Sequence, residues 1–455
     1  MRALGIDFGT SNTVAVVRGG DGRVRPLLFD GTPLLPSAVY RDADGRLLVG
    51  ADAHRRARID PSGFEPNPKR RVDDGTVLLG DADVPVPQLV AALLRHVAAE
   101  ARRQLGGVDE VRLTHPVRWG ERRRMVLVQA AYAAGLPRPT LIAEPVAAAS
   151  YYTSALGAAV PPGRALAVYD LGGGTFDAAV VRRTATGFDV LAEQGLAELG
   201  GLDFDQALVE HLGGVYSPSR TTVWNGLVAP SDTGSRRARA LLYDDVRGAK
   251  EMLSRTVSAD VHLPALDIAA HVTRDELESL IRDHLARTVT CLAQTVAAAG
   301  LAPADLVGVF LVGGSSRIPL AAQLIHTELG VAPTTLEQPE TVVADGALRV
   351  GAAARTGLPG PRPPAPMPRV ATAPPHIAGT PAAGPTSPAA PPMPPPASPA
   401  PFMAPAPVSP HLMPMPAQPT TTPGRPWYDE HGPVLVAALA TMVGIAVVVM
   451  VVLLL

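Results

Sequence analysis

Gly5-Ile6-Asp7-Phe8-Gly9-Thr10 lies near the start of the chain, and two similar stretches follow it, Asp170-Leu171-Gly172-Gly173-Gly174-Thr175 and Val312-Gly313-Gly314-Ser315. Each comes at the end of an apolar, β-rich run, which predicts a strand that ends in a tight glycine turn. Because glycine has no Cβ and tolerates positive φ, such a backbone can approach phosphates closely and point its N–H groups at them. Three such loops in one chain indicate a nucleotide-phosphate site rather than three ordinary turns.

The first two loops each join a pair of predicted strands. Residues 2–9 and 13–18 flank the first loop, and residues 165–171 and 178–182 flank the second. A hairpin that recurs about half the globular length further on predicts a duplicated, two-lobed fold with pseudo-twofold symmetry. Apolar residues at helical spacing predict helices between and after the hairpins, so the fold class is α/β. These predicted helices include residues 88–105, 120–134, 143–156, 203–212 and 275–299.

The composition divides the 455 residues into three regions. Residues 1–357 have the mixed composition of a globular domain, long enough for two lobes. Of the 48 prolines, 26 fall between positions 359 and 426, so we expect residues 358–432 to be a disordered Pro/Ala-rich linker. Residues 433–455 are uncharged and apolar, and as a helix they would span roughly 34 Å, enough for a bilayer core of about 30 Å. We therefore expect a single transmembrane helix there.

Charge and cysteine content narrow the classes of partner. A net charge of −2, without a clustered basic face, argues against nucleic acid as a partner. The single cysteine, Cys291, lies in an apolar helical pattern and is most simply a small core residue. The first apolar run is interrupted by Asp7, so it does not resemble a secretory signal.

Lysine is almost absent from this chain. Of the 40 basic side chains only two are lysines, Lys69 and Lys250, and all the others are arginines. A lysine acts as a mobile point charge toward a phosphate or a sugar hydroxyl, whereas an arginine presents a planar fork. The two lysines are therefore candidate ligand-binding residues.

The strand-end residues suit phosphate chemistry. Asp7 and Asp170 are predicted to face each other across a cleft, where they suit a hydrated Mg²⁺ that takes carboxylates and phosphate oxygens. Lys69 is placed to reach a γ-phosphate or the attacking water. For Glu144, at the predicted start of a helix, a water- or metal-orienting role and simple complementarity to the helix dipole both stay open. The hydroxyl groups expected to hold the β- and γ-phosphates belong to Thr10, Ser11 and Thr175.

These residues also carry a family resemblance. The chain resembles the nucleotide-binding domain of the DnaK-type 70-kDa heat-shock chaperones, a two-lobed, ribonuclease H-like duplicated fold of the actin-like superfamily. The similarity covers nearly all of residues 1–357 in family order. Beside the three glycine loops, the matching stretches are Asn67-Pro68-Lys69-Arg70, Glu144-Pro145, Phe176-Asp177, Leu199-Gly200-Gly201, Asp203-Phe204-Asp205, Ala249-Lys250, Leu253-Ser254 and Ser315-Ser316-Arg317-Ile318-Pro319.

The resemblance implies roles for individual positions, with ATP or ADP and Mg²⁺ as cofactors. Asp7 and Asp170 would organise the Mg²⁺ and its waters, and Asp177 and Glu144 would lie behind them. Lys69 would be the catalytic lysine, and Thr175 would position the nucleophilic water. The phosphate loops would be formed by Gly9, Thr10, Ser11, Gly172, Gly173, Gly174, Gly200 and Gly201, and the adenosine pocket by Lys250, Ser254, Gly313, Gly314, Ser315 and Arg317. Pro116 and Arg124 resemble the pair that relays nucleotide state in this family.

Several positions depart from the family pattern. Arg247 stands where the family often has a glutamate near the ribose, and Glu340 where it usually has an aspartate. The stretch between Lys69 and Pro116 is shorter than usual. After residue 357, the proline tract and the apolar run take the place of the interdomain linker and the peptide-binding domain. The sequence thus predicts a chaperone-like ATPase that lacks its own peptide-binding domain.

We expect this ATPase to act as a slow, Mg-ATP-driven switch, tethered to the cell membrane with its ATPase domain in the cytoplasm, where ATP is available. Its partners would be co-chaperones or clients, in keeping with a heat-shock or stress-response role. An alternative is a nucleotide-gated, actin-like scaffold or polymer at the membrane. A small-molecule kinase of the same superfamily is a third hypothesis, although the sequence contains no separate sugar-binding motif.

Overall fold

The computed structural model describes residues 1–351 except Ser219 and Ala265. The predicted linker (residues 358–432) and the predicted transmembrane helix (residues 433–455) lie outside this range. Within it, none of the helices combines the length and the apolar character needed to cross a bilayer.

The strands of the described residues are mostly short, and most of the longer ones belong to two sheets, while β15 and β16 pair only with each other. In chain order they are β1 (Ala3–Phe8), β2 (Asn12–Arg18), β3 (Val24–Pro26), β4 (Leu34–Pro36), β5 (Val39–Arg41), β6 (Leu47–Val49), β7 (Phe64–Glu65), β8 (Thr76–Leu79), β9 (Ala82–Pro85), β10 (Glu110–His115), β11 (Thr140–Ala143), β12 (Ala165–Leu171), β13 (Phe176–Arg183), β14 (Phe188–Leu196), β15 (Ser258–Leu263), β16 (Ile268–Thr273), β17 (Leu306–Val312) and β18 (Pro333–Thr334).

The helices lie between and after these strands. In chain order they are α1 (Ala51–Ala57), α2 (Val86–Leu105), α3 (Glu121–Ala133), α4 (Glu144–Ser154), α5 (Gly201–Tyr216), α6 (Thr221–Val228), α7 (Thr233–Leu253), α8 (Arg274–Ala298), α9 (Pro319–Leu329) and α10 (Val342–Arg349). The five predicted helices correspond to α2, α3, α4, α5 and α8, and the main difference is that α5 continues four residues further than predicted. Lys69 and Ser315 lie in short 3₁₀ helices.

Two sheets define two lobes, and we refer to them by these names. Lobe I is the six-stranded sheet β11-β10-β1-β2-β3, with β4 paired to β2, together with α1–α3. Lobe II is the five-stranded sheet β14-β13-β12-β17-β18, together with α5–α9. In both lobes an antiparallel hairpin, β1–β2 or β12–β13, is followed on its outer side by a parallel strand, β10 or β17. The predicted duplication of the hairpin is therefore confirmed, and the fold is mixed α/β.

Two helices lie between the lobes and pack on each other. In α4, Val146 and Ala148 belong to the same buried cluster as Val168 of β12. In α10, Ala344 and Leu348 pack against the sheet of lobe I. The two helices meet so closely that a Cβ on Gly346 would lie almost on the carbonyl of Ala147. The lobes are thus joined through a helix contact that requires glycine at this position.

Candidate active site

A cavity of about 340 Å³ opens where strand ends from both lobes meet. Asp7 lies near the end of β1 and Asp170 near the end of β12, and both line the cavity as the sequence predicts. Eighteen of the predicted site residues line it: Asp7, Gly9, Thr10, Ser11, Lys69, Glu144, Asp170, Gly172, Gly173, Thr175, Asp177, Gly201, Lys250, Ser254, Gly313, Gly314, Ser315 and Arg317. The other two, Gly174 and Gly200, are not among its lining residues.

The glycine loops of the two lobes touch each other at this cavity. A Cβ on Gly173 would overlap the Ser11 hydroxyl, and one on Gly174 would lie 2.7 Å from Cγ2 of Thr10. The loop of lobe II is also fixed to the start of α5, because the N–H groups of Gly201 and Leu202 donate to the carbonyls of Gly172 and Gly173 at 3.0 and 2.7 Å. Gly173 and Gly174 therefore leave room for the Ser11 and Thr10 side chains of the facing loop.

Positive φ is used by only one glycine of the three loops. Gly313 has φ of 80°, and a Cβ there would lie 2.5 Å from Oδ1 of Asp170. Gly9 and the triple glycine 172–174 have no positive φ. The expectation that positive φ makes these loops possible is thus correct at Gly313, while a Cβ would meet close neighbours at Gly9, Gly173 and Gly174.

Lys69 lies among the carboxylates of the cavity. Its Nζ donates to Oε1 of Glu144 at 3.1 Å and lies 5.6 Å from the centre of the Trp119 ring. The side chains of Lys69 and Glu144 are only 13% and 10% exposed, so this contact is largely buried. Glu144 is the first residue of α4, and its contact with Lys69 shows that it does more than complement the helix dipole.

Burial disfavours the ionised form of these carboxylates. It raises the pKa of Glu144 to about 8 and that of Asp170 to about 7, and neighbouring carboxylates add to both shifts. The pKa of Asp7 is also raised by burial, although Lys69 and a 2.7 Å hydrogen bond from Thr114 oppose the shift. Burial alone would lower the pKa of Lys69, but the carboxylates around it outweigh this and raise it. This end of the cavity therefore has more buried acids than cations.

A divalent cation fits this excess of negative charge. Asp7 and Asp170 line one cavity and supply the oxygen donors that Mg²⁺ prefers, while Mg²⁺ commonly keeps several waters and binds phosphate oxygens as well. Among the described residues, no group of three or more Asp, Glu, His or Cys side chains is close enough to hold a metal by itself. The residues thus suit a metal that arrives with water and phosphate rather than one held by the protein alone.

The opposite end of the cavity carries charges that are already paired. Nζ of Lys250 lies 2.7 Å from Oδ1 of Asp205 and donates to the carbonyl of Gly201 at 2.6 Å. Arg317 and Glu340 form an ion pair at 3.1 Å. The sequence marks Asp205 only as part of a motif and does not reveal that it pairs with the rare lysine. Arg247, noted as a departure, also lines the cavity, 3.8 Å from Oδ2 of Asp205.

The loop after β10 contains Pro116, which the family resemblance singled out, and two functional candidates that the sequence did not suggest. Pro116 borders a small cavity shared with Glu144, Asp170 and Asp177, and its carbonyl lies 2.8 Å from Nδ1 of His115. Trp119 lies against Lys69, as described above. No motif marks Trp119 or its neighbour Arg118. Trp119 meets Lys69 across a long sequence separation within lobe I, and Arg118 meets its partners only when the two lobes pack together.

Comparisons with known proteins agree with this geometry. The model of the family described as Hsp70 protein matches residues 76–358, more than half of the chain. The chain belongs to the Hsp70 family. Members of the Hsp70 family are ATPases that use ATP or ADP with Mg²⁺.

Individual Hsp70 relatives are similar over most of the described residues. The chain is 34% identical over 375 residues to the chaperone protein HscA of Pectobacterium carotovorum, covering 76% of this chain and 57% of that protein. It is 31% identical over 358 residues to the chaperone protein DnaK of Halobacterium salinarum (76% and 55%) and 32% identical over 356 residues to that of Thermotoga neapolitana (76% and 58%). The chain thus spans little more than half the length of the curated Hsp70 relatives it matches.

Proposed function

We propose that this chain binds Mg-ATP in the cavity between its lobes and hydrolyses it slowly as a conformational switch. The observation that carries this proposal is the cluster of Asp7, Glu144, Asp170 and Asp177 around Lys69, beside two glycine loops that meet from opposite lobes. In phosphoryl transfer the protein mainly positions groups and neutralises charge. This cluster suits that task, since a bound cation would complete it.

The proposal assigns roles to the side chains at each end of the cavity. Asp7 and Asp170 would hold a hydrated Mg²⁺, and Lys69 would interact with the γ-phosphate or the attacking water, with Glu144 keeping the ammonium in place. Thr175 positions the water, and its hydroxyl is held by Oδ2 of Asp177 at 3.2 Å. Lys250, Ser254, Gly314, Ser315 and Arg317 bind the adenosine end, and the backbone of the glycine loops holds the phosphates.

The test is single-turnover hydrolysis of ATP by the full chain, in a mild detergent and with excess Mg²⁺. We expect slow hydrolysis by the parent, which Lys69→Met reduces about 100-fold while ATP still binds, because the variant loses the cation nearest the transferred phosphoryl group. Arg70→Met is the matched control, since Arg70 is the exposed next residue in the same 3₁₀ helix. Binding without hydrolysis in the parent would contradict the switch and favour a nucleotide-stabilised scaffold.

Membrane tethering is a second part of the proposal. It rests on the uncharged apolar run of residues 433–455 and on the proline-rich sequence before it, which provides a spacer rather than the composition of a packed peptide-binding domain. The ATPase domain is proposed to face the cytoplasm, where ATP is available. In this arrangement partner proteins, as co-chaperones or clients, would read the state of the lobes.

Alkaline extraction of membranes tests the tether. We expect the full chain to stay in the membrane pellet, and a Val447→Arg/Val448→Arg variant to be released, since each arginine at a helix centre costs about 2.5–3.5 kcal/mol. Arg362→Ala, within the proline-rich segment, is the control that should remain in the pellet. A parent protein that is recovered in the supernatant would refute tethering and leave the ATPase proposal unaffected.

A further inference from the structure

Arg118 connects the two lobes directly. It belongs to lobe I, three residues after the end of β10, yet its Nε and Nη2 donate to Oδ1 of Asp177 on β13 at 3.0 and 2.7 Å. Its backbone N–H donates to Oε1 of Glu193 on β14 at 3.1 Å, and Nε lies 3.3 Å from the same oxygen. One arginine of lobe I thus contacts two neighbouring strands of lobe II.

The backbone of lobe II has a gap that fits this arginine. Gly195 lies opposite Asp177 in the β13–β14 register. A Cβ at Gly195 would lie 2.6 Å from the carbonyl oxygen of Phe176, 2.8 Å from Oδ1 of Asp177 and 2.9 Å from Nη2 of Arg118, closer than real Cβ contacts allow. The φ of Gly195 is not positive, so its backbone conformation does not require glycine. The missing side chain leaves room both for the neighbouring backbone of β13 and for the Arg118–Asp177 ion pair that passes over this position.

The same ion pair fixes a residue of the cavity. With Oδ1 of Asp177 held by Arg118, Oδ2 is left to accept the 3.2 Å hydrogen bond from the Thr175 hydroxyl. Thr175 and Asp177 both line the main cavity. The next residue of the loop, Trp119, lies against Lys69. The segment that carries Arg118 therefore contacts two side chains at the reacting end of the cavity: Trp119 contacts Lys69, and Arg118 contacts Asp177.

We propose that Arg118 is an inter-lobe positioning residue: it holds Asp177, and through it Thr175, in the orientation needed for hydrolysis when the lobes are together. This inference rests on the proposed ATPase function. Arg118 itself is not among the residues that line the main cavity, so it acts through Asp177 rather than on the nucleotide. Its loss should slow turnover without a matching loss of ATP affinity.

Charge supports this role. Burial and the nearby Asp177 raise the pKa of Glu193 to about 7, and the positive charge of Arg118 keeps this pKa from rising further. Without the guanidinium, two carboxylates would lie on neighbouring strands without their shared counter-charge, Asp177 opposite Gly195 and Glu193 opposite Ala179. The pKa of Glu193 would then rise further, and Asp177 would lose the partner that sets its rotamer. A lysine at position 118 would restore the charge but not the two-nitrogen contact.

The experiment compares Arg118→Ala, Arg118→Lys and Arg123→Ala in the full chain. Arg123 is a matched control, because it lies five residues away and pairs with Asp73 inside lobe I, so its loss removes the same charge without crossing the lobes. Single-turnover hydrolysis and equilibrium binding of a fluorescent ATP analogue are measured for each variant. We expect Arg118→Ala to slow hydrolysis about 10- to 100-fold, since small misplacements of reacting groups cost up to about 100-fold. Its dissociation constant should change less than about threefold, and Arg118→Lys should recover part of the rate.

Two outcomes would overturn the inference. One is an Arg118→Ala rate equal to that of Arg123→Ala. The other is a parallel loss of binding and hydrolysis that Arg118→Lys does not relieve, which would show a general structural role. Hydrogen exchange separates these results from a failure of the ATPase proposal, because it does not require turnover. Even with a parent that binds ATP without hydrolysing it, Arg118→Ala should speed amide exchange at residues 117–119 and 193–196, and unchanged exchange there would refute the link between the lobes.

Discussion

The two ends of the cavity use charge in opposite ways. At one end the partly buried Asp7 and Asp170 and the buried Glu144 surround a single lysine, and desolvation raises the pKa values of all three acids. At the other end the cations already have partners, as in the pairs Lys250–Asp205 and Arg317–Glu340. The first end thus has more acidic than basic side chains. At the second end the basic and acidic side chains are already paired before any ligand binds.

This difference separates groups poised for chemistry from groups that shape the pocket. Buried acids with raised pKa values cost free energy when they ionise, and a ligand that brings Mg²⁺ reduces that cost. Ion pairs that are already formed add little to the free energy of ligand binding. Removing one partner of a buried pair, however, leaves the other charge without compensation. Substitutions at the first end should therefore change turnover and those at the second end should change folding or affinity.

The largest expected effect is on turnover, from neutralising Asp170. Asp170→Asn should reduce single-turnover hydrolysis about 100- to 1,000-fold, comparable to the loss of a major electrostatic contact, because it removes a carboxylate proposed to hold the Mg²⁺ waters. Rapid-quench measurement at saturating Mg-ATP checks this. Glu340→Gln, at the paired end, should leave the rate within about threefold. Similar losses in both variants would remove the distinction between the two ends.

The next largest effect is on folding, at Lys250. Lys250→Met should lower the free energy of unfolding by about 3 kcal/mol, because Asp205 is then buried without a counter-charge. Urea denaturation measures the loss. Adding Asp205→Asn to the same variant should restore most of the stability, since it removes the orphaned charge. A double variant no more stable than Lys250→Met would show that the pair does not account for the effect.

A smaller effect concerns pH. The folded-state pKa of Glu144, about 8, lies above its ordinary value of 4.5, so its contribution to stability is complete below pH 4.5 and is lost as the pH rises through 8. In EDTA, the free energy of unfolding of the parent should fall from pH 5.5 to 8.5 relative to that of Glu144→Gln. The same pH dependence in both proteins would contradict the assigned burial.

The smallest effect is expected at Arg317. Its side chain is 31% exposed, and partly exposed ion pairs contribute about 1 kcal/mol or less. Arg317→Ala should therefore weaken ATP binding only about threefold, with the hydrolysis rate of the bound state unchanged. Binding titrations and single-turnover rates check both parts. A large fall in the rate would show that this end takes part in the chemistry.

The sequence could predict those parts of the molecule that depend on local pattern. The glycine loops and the carboxylates Asp7 and Asp170 are local, since each follows a strand whose end lies at the cavity. The short strands between residues 24 and 85 were not predicted, because two to four residues give too little periodicity to recognise. The inter-lobe contact of Arg118, the gap at Gly195 and the pairing of Lys250 with Asp205 could not be predicted either, since each joins segments brought together only by packing.

The most direct test of the account is calorimetric titration of the full chain with ATP at pH 7, in buffers of different ionisation enthalpy, with Mg²⁺ and then with EDTA. Because Glu144 and Asp170 have pKa values of about 8 and 7, much of this pair is protonated before the ligand binds. We predict tight binding that requires Mg²⁺ and releases protons as the carboxylates ionise around the cation. Equal affinity in EDTA, with no proton release in either condition, would contradict the claim that this end of the cavity is completed by a metal-bound phosphate.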